Sequence, residues 1–384
     1  MAAILRKDFM CLFLRNSSFL CKSRVSFSTF AEKKSVINPT VFDFLIHKHH
    51  FSPEAAAEVS SALTPLRNPE KSDSLLSFLK ENGFSNSHLE RLLKYRASFI
   101  SADLEQSVKP KIKIFQELGF SNNEIASLFA SNPSIFYRSA NNRVIPALSR
   151  LRNLLGSDAN VVKLVKKSGW FVIKDLDKQM LPNIEFLKSR NVDMEQIIRC
   201  MHSFTRFLLQ KPENVRKQAE KAEELGAQSS SKMYIHAVRV IGSMSDEAWE
   251  RKLQTLRGLG FSEDEILKAF RKCPPIFCVS VKKMKEVNEI LVSTGKYDTA
   301  SIVSYPLTLC CSVEKRHKPR LQVLAALDRK KLIKKWPSLG TVSTVSDEYF
   351  FRRFVGPYMD EVGHLFVVKS TTSGKSKAKL SPLT

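Results

Sequence analysis

Apolar positions along this chain return in phase with prolines. Pro110, Pro146 and Pro182 stand 36 residues apart, each followed at +2 and +5 by an apolar pair: Ile112 and Phe115, Leu148 and Leu151, Ile184 and Leu187. Pro319 repeats the arrangement with Leu321 and Leu324. A second landmark lies 13 residues upstream, as Pro133-Ser134-Ile135-Phe136 and Pro306-Leu307-Thr308-Leu309. Ala97-Ser98-Phe99-Ile100 and Gly169-Trp170-Phe171-Val172 keep its apolar pair without the proline. Pro274-Pro275-Ile276-Phe277 also keeps the pair, but Val287 occupies its +13 position. Six residues past each landmark comes a short polar residue suited to capping a helix: Asp103, Ser139, Asp175, Ser280 or Ser312. A third landmark closes each unit at Gly83, Gly119, Gly156, Asn191, Gly226, Gly260 and Gly295, residue types that accept the left-handed backbone of a helix end.

These marks predict one recurring unit: a Gly-Phe-Ser turn, an amphipathic helix of about ten residues, a Pro-x-apolar-apolar break, an N-cap and a second helix. Ser262 and Glu265 have the spacing of a capping box ahead of Ile266, Leu267 and Phe270. The +13 proline falls seven residues beyond the cap. Either it kinks a helix interior, or the cap region forms its own turn and the proline begins a new helix; proline's preference for a first turn favours the second. Self-similarity at this period marks stacked units that cannot bury their apolar faces alone. The fold class is therefore all-α, with roughly seven units of ~35 residues, degenerate between Asn191 and Ile241. The expected organisation is an organelle presequence over 1–30, a helical lead-in over 31–74, the repeat array over 75–330, a capping segment over 331–368 and a disordered basic tail over 369–384.

Charge changes the functional question. The 384 residues carry 61 Lys and Arg against 38 Asp and Glu, a net +23 with pI near 9.7. Much of this excess falls on the repeat body, which implies a polyanionic partner. The first thirty residues combine Arg6, Lys7, Arg15, Lys22 and Arg24 with Ser, Phe and Leu and a single acid, Asp8, the composition of a transit peptide. The expected address is the mitochondrion, with the chloroplast as alternative; no membrane partner is expected.

No catalytic residue, cofactor or metal is expected. The seven cysteines suit free thiols better than a disulfide frame, since Cys200, Cys273, Cys278, Cys310 and Cys311 are embedded in apolar segments. Cys273 and Cys278 lack zinc-knuckle spacing, His47, His49 and His50 have no ligand cluster beside them, and no phosphate-binding loop or nucleophile elbow is present. What recurs instead is cations. Arg143, Lys178, Lys283, Lys315 and Arg316 stand nine or ten residues past the landmarks, in the turn after the N-cap. Arg138, Arg206 and Lys272 lie beside the same breaks. These eight are the candidate nucleic-acid-binding residues: in register, they would form a stripe of phosphate contacts that supply affinity without reading sequence.

The Leu-Gly-Phe-Ser turns at Leu118–Ser121 and Leu259–Ser262, the breaks at Pro133, Pro274-Pro275 and Pro306, and the +13 prolines together resemble the mitochondrial transcription termination factor (mTERF) family, in its plant branch. The segment from Ser346 to Val355, leading to Tyr358, is similar to the ending of plant members. The resemblance covers about residues 40–368. It implies a right-handed superhelix of repeats, each with two longer helices and a short 3-10 turn, and a basic concave groove. It also implies binding of double-stranded DNA or RNA of the organelle, in transcription, termination or RNA processing such as intron splicing. The alternative is an α-solenoid scaffold for other organellar expression proteins.

Overall fold

The computed structural model describes residues 38–63 and 68–366. The expected presequence and basic tail lie outside them. Among the described residues every regular element is helical, and no helix is long and apolar enough to cross a membrane. The chain forms two compact units: an N-terminal one reaching to Glu223 and taking in Ser229–Gly242, and a C-terminal one formed by Glu224–Gln228 and the chain from Ser243 onward.

In both units the recurring turn has a physical explanation. Gly119 has φ +101°, and the amide of Phe120 reaches back to the carbonyl of Phe115 at 3.0 Å. Its ring packs edge-on against Phe115, with centroids 5.4 Å apart. This is a Schellman closure with its apolar contact. Ser121 then caps the next helix, Asn122–Ser131, in a reciprocal capping box with Glu124. The same bond forms from Phe84 to Leu79, Val192 to Leu187 and Phe261 to Leu256, and Ser262 with Glu265 makes the predicted capping box. All seven predicted closing residues have positive φ. So do His50 and Lys331, and the Leu332 amide bonds the Leu327 carbonyl in the same way. The period therefore continues at both ends of the glycine series, through residues whose type gave no sign of it.

The breaks are 3-10 turns at Ala97–Ser101, Pro133–Tyr137, Pro274–Cys278 and Pro306–Cys310, while Trp170–Ile173 is one α-helical turn. Their apolar pairs are buried, as are the residues at +2 and +5 from the ladder prolines. All five predicted N-caps accept a backbone N–H three residues on.

At Pro110, Pro146 and Pro319 the cap region forms its own turn and the proline stands in the first turn of an α-helix, as the second alternative expects, with the two elements continuous. Leu104–Val108, Ala140–Val144 and Val313–His317 are single π-helical turns that run directly into the helices Lys109–Glu117, Ile145–Leu155 and Lys318–Arg329. Pro110, Pro146 and Pro319 each sit second in those helices. The Ser139 carbonyl accepts from both Arg143 and Val144, each at 3.1 Å. The wider turn gives the pyrrolidine ring room over the preceding carbonyls. Where Val287 replaces the proline, the helix Val281–Val292 is α-helical from its Ser280 cap onward. The π turn accompanies three of the four ladder prolines; before Pro182, third in the helix Met180–Ser189, residues 176–179 form turns instead.

Candidate nucleic-acid interface

The break edges carry the cations, and each compact unit uses them differently. In the N-terminal unit Arg138 and Lys178 are exposed, and neither side chain makes an ion pair or hydrogen bond among the described residues. Arg143 donates to Asp175 at 2.8 Å. That bond holds the Asp175 carboxyl below its ordinary pKa, yet Arg143 stays exposed, and a surface pair of this kind is worth only ~0–1 kcal/mol. Arg206 lies over the Trp170 ring at 5.4 Å.

In the C-terminal unit three of the four candidate cations are engaged by backbone. Lys272 Nζ donates to the Ser304 carbonyl at 2.7 Å and stands 5.7 Å over the Tyr305 ring. Lys283 Nζ donates to the Cys310 carbonyl at 2.7 Å, and Arg316 Nη1 to the Ser343 carbonyl at 2.9 Å. Each carbonyl belongs to the end of a helical turn in the following repeat, where acceptors have no intrahelical donor and the turn's dipole favours a cation. Lys315 is exposed; its backbone amide donates to the Ser312 hydroxyl, and its side chain makes no ion pair or hydrogen bond among the described residues. The eight cations are thus not equivalent members of one stripe. Lys272, Lys283 and Arg316 fasten one repeat to the next, whereas Arg138, Lys178 and Lys315 present their charge outward.

Sequence pattern missed other fasteners. Arg320 is fully buried, donates to the Val342 and Val345 carbonyls at 2.9 Å each and to Asp347 at 2.5 Å, and lies over Phe350. Burial lowers its pKa. Asn183 donates to the Leu208 and Gln210 carbonyls, Lys252 to Val279, and Lys167, in the N-terminal unit, to His202. A polar residue at an otherwise apolar helix position was the available signal; the acceptors are backbone and leave no mark in the sequence.

The described cysteines form no disulfide: Cys200 and Cys273 are buried, Cys278 is exposed, and burial pushes the Cys200 thiol up to about 12. No group of three or more His, Cys, Asp or Glu among the described residues could hold a metal ion.

Stacked helix pairs, joined by 3-10 breaks and edged with cations, define an α-helical repeat protein. The sequence model of one such family, described as mTERF, matches residues 39–225 and 223–351, and the chain belongs to the mTERF family. Proteins of this family are organellar helical-repeat proteins that bind nucleic acids. No curated protein matches the chain.

Proposed function

We propose that this chain regulates mitochondrial gene expression, in transcription, its termination or RNA processing such as intron splicing, by binding organellar DNA or RNA along its break edges. The observation that carries this reading is that Arg138, Lys178 and Lys315 project charge the fold does not use, in a chain of net charge +23. Arg143 and Arg206 join them by exchanging a weak surface partner for phosphate. Lys272, Lys283 and Arg316 contribute field more than direct contact.

The test is binding of an organellar transcript or duplex across a salt series. Log affinity should fall linearly with log salt, with a slope of roughly 0.7 per neutralised phosphate for a single strand and 0.9 for a duplex. Binding indifferent to salt would contradict the reading.

A further inference from the structure

Three aromatic rings of the N-terminal unit are exposed where their neighbours are buried. Tyr95 is 58% exposed, Tyr137 39% and Trp170 37%. Phe99 and Phe136, beside them in sequence and space, are 3% and 4% exposed. The exposed rings stand at three consecutive breaks. Tyr95 and Tyr137 have centroids 6.4 Å apart, the turns they flank are joined by Phe99 against Phe136 at 4.7 Å, and the turn carrying Trp170 packs against Pro133–Tyr137. Cations lie over two of the three: Arg96 over Tyr137 at 4.7 Å, and Lys174 at 5.3 Å and Arg206 at 5.4 Å over Trp170. Arg138 follows Tyr137 directly and is exposed.

We infer that Tyr95, Tyr137 and Trp170 form a stacking platform for the bases of a single-stranded polynucleotide, with Arg138, Lys174 and Arg206 on its phosphates. The inference rests on the nucleic-acid reading above and narrows its ligand class. Every base has a π-face, so stacking holds any sequence, but only where the bases are unpaired. Bases inside a duplex are stacked on each other and offer nothing to an exposed ring. A partner protein would suit the rings but not the crowd of cations around them. A polyanion with flat apolar faces suits both. The cations over Tyr137 and Trp170 also hold those rings in place before any ligand arrives.

The experiment compares fluorescein-labelled oligo(U) and oligo(dT) of twelve nucleotides with a twelve-pair duplex, using the full chain and the triple variant Tyr95→Leu, Tyr137→Leu, Trp170→Leu. Each lost ring should weaken single-strand binding roughly tenfold, with duplex affinity and thermal unfolding unchanged. Stacking is indifferent to the sugar, so oligo(U) and oligo(dT) should bind within a few-fold of each other. Oligo(U) should also quench tryptophan emission in the parent and not in Trp170→Phe, a variant that keeps a ring for stacking and so keeps affinity. Single-strand binding by the triple variant equal to the parent's would overturn the platform and leave the nucleic-acid reading standing. Equal loss of single-strand and duplex binding, or oligo(U) bound where oligo(dT) is not, would also overturn it. Failure of the parent to bind any of the three would sink both.

Discussion

The break edges of the two compact units look alike in sequence and do different work. In the N-terminal unit the candidate cations sit over exposed rings, pair with a surface acid, or point outward, and Lys167, outside that set, donates to the His202 carbonyl of the following repeat. In the C-terminal unit Lys272, Lys283, Arg316 and Arg320 are bound to carbonyls of the following repeat. A recurring cation therefore has two physical meanings. It can advertise charge to a ligand, or it can satisfy the acceptors that every interrupted helix leaves behind. Only the second ties the residue's charge to folding.

The largest effect should come from the most committed cation. Arg320→Met leaves the Val342 and Val345 carbonyls without their donor and should cost about 3 kcal/mol, read as a lower urea midpoint for the transition of the C-terminal unit. Single-strand affinity, measured where the variant is still folded, should stay at the parent's value. A variant as stable as the parent would break the distinction between the two edges.

Acid should reach both units through buried imidazoles. Burial holds His49 down at about 4, and His317 is lowered for the same reason. Both are neutral in the fold but take up protons when unfolded, near the ordinary value of about 6.5. Their contribution is thus complete above that value and is lost as pH falls below it, for His49 toward about 4. For His49 the loss by pH 4 should be about 3 kcal/mol, since a tenfold change in proton affinity corresponds to ~1.4 kcal/mol. Urea midpoints from pH 7 to 4 would show it in the N-terminal unit, and His49→Gln should flatten that slope. A flat profile in the parent would mean that His49 is not held neutral.

Smaller still, Lys272→Gln, Lys283→Gln and Arg316→Gln together should cost about 1.5 kcal/mol, because these side chains are partly solvated and each bond contributes only ~0.5 kcal/mol. The matching set Arg138→Gln, Lys178→Gln and Lys315→Gln should leave the midpoint where it was. Equal destabilisation by both sets would erase the contrast.

The turns were readable because their chemistry is local. Glycine followed by Phe and Ser encodes a left-handed residue, an apolar backstop and a cap in three letters, as at Gly119-Phe120-Ser121. His50 and Lys331 were not readable, since positive φ is uncommon for any non-glycine residue and neither is followed by the Phe-Ser pair. The π turns escaped for another reason. The spacing from Ser139 to Pro146 fixes how many residues lie between cap and proline but not which carbonyl each amide chooses. Cation register was legible, but cation use was not. Lys178 and Lys283 occupy the same place nine residues past their landmarks, yet only Lys283 finds a carbonyl within reach. In the repeat of Lys178, Asn183 already holds the following break. The exposed rings did leave a trace, in Tyr95-Arg96 and Tyr137-Arg138, where an aromatic and a cation adjoin at consecutive breaks.

The most direct test of two edges with two roles is the salt dependence of oligo(U) binding, measured in parallel for the parent, the Arg138/Lys178/Lys315→Gln set and the Lys272/Lys283/Arg316→Gln set. The first set should lower the slope of log affinity against log salt by roughly 2, and the second should leave the slope within error of the parent's. Slopes lowered equally by both sets, or lowered only by the second, would contradict the account.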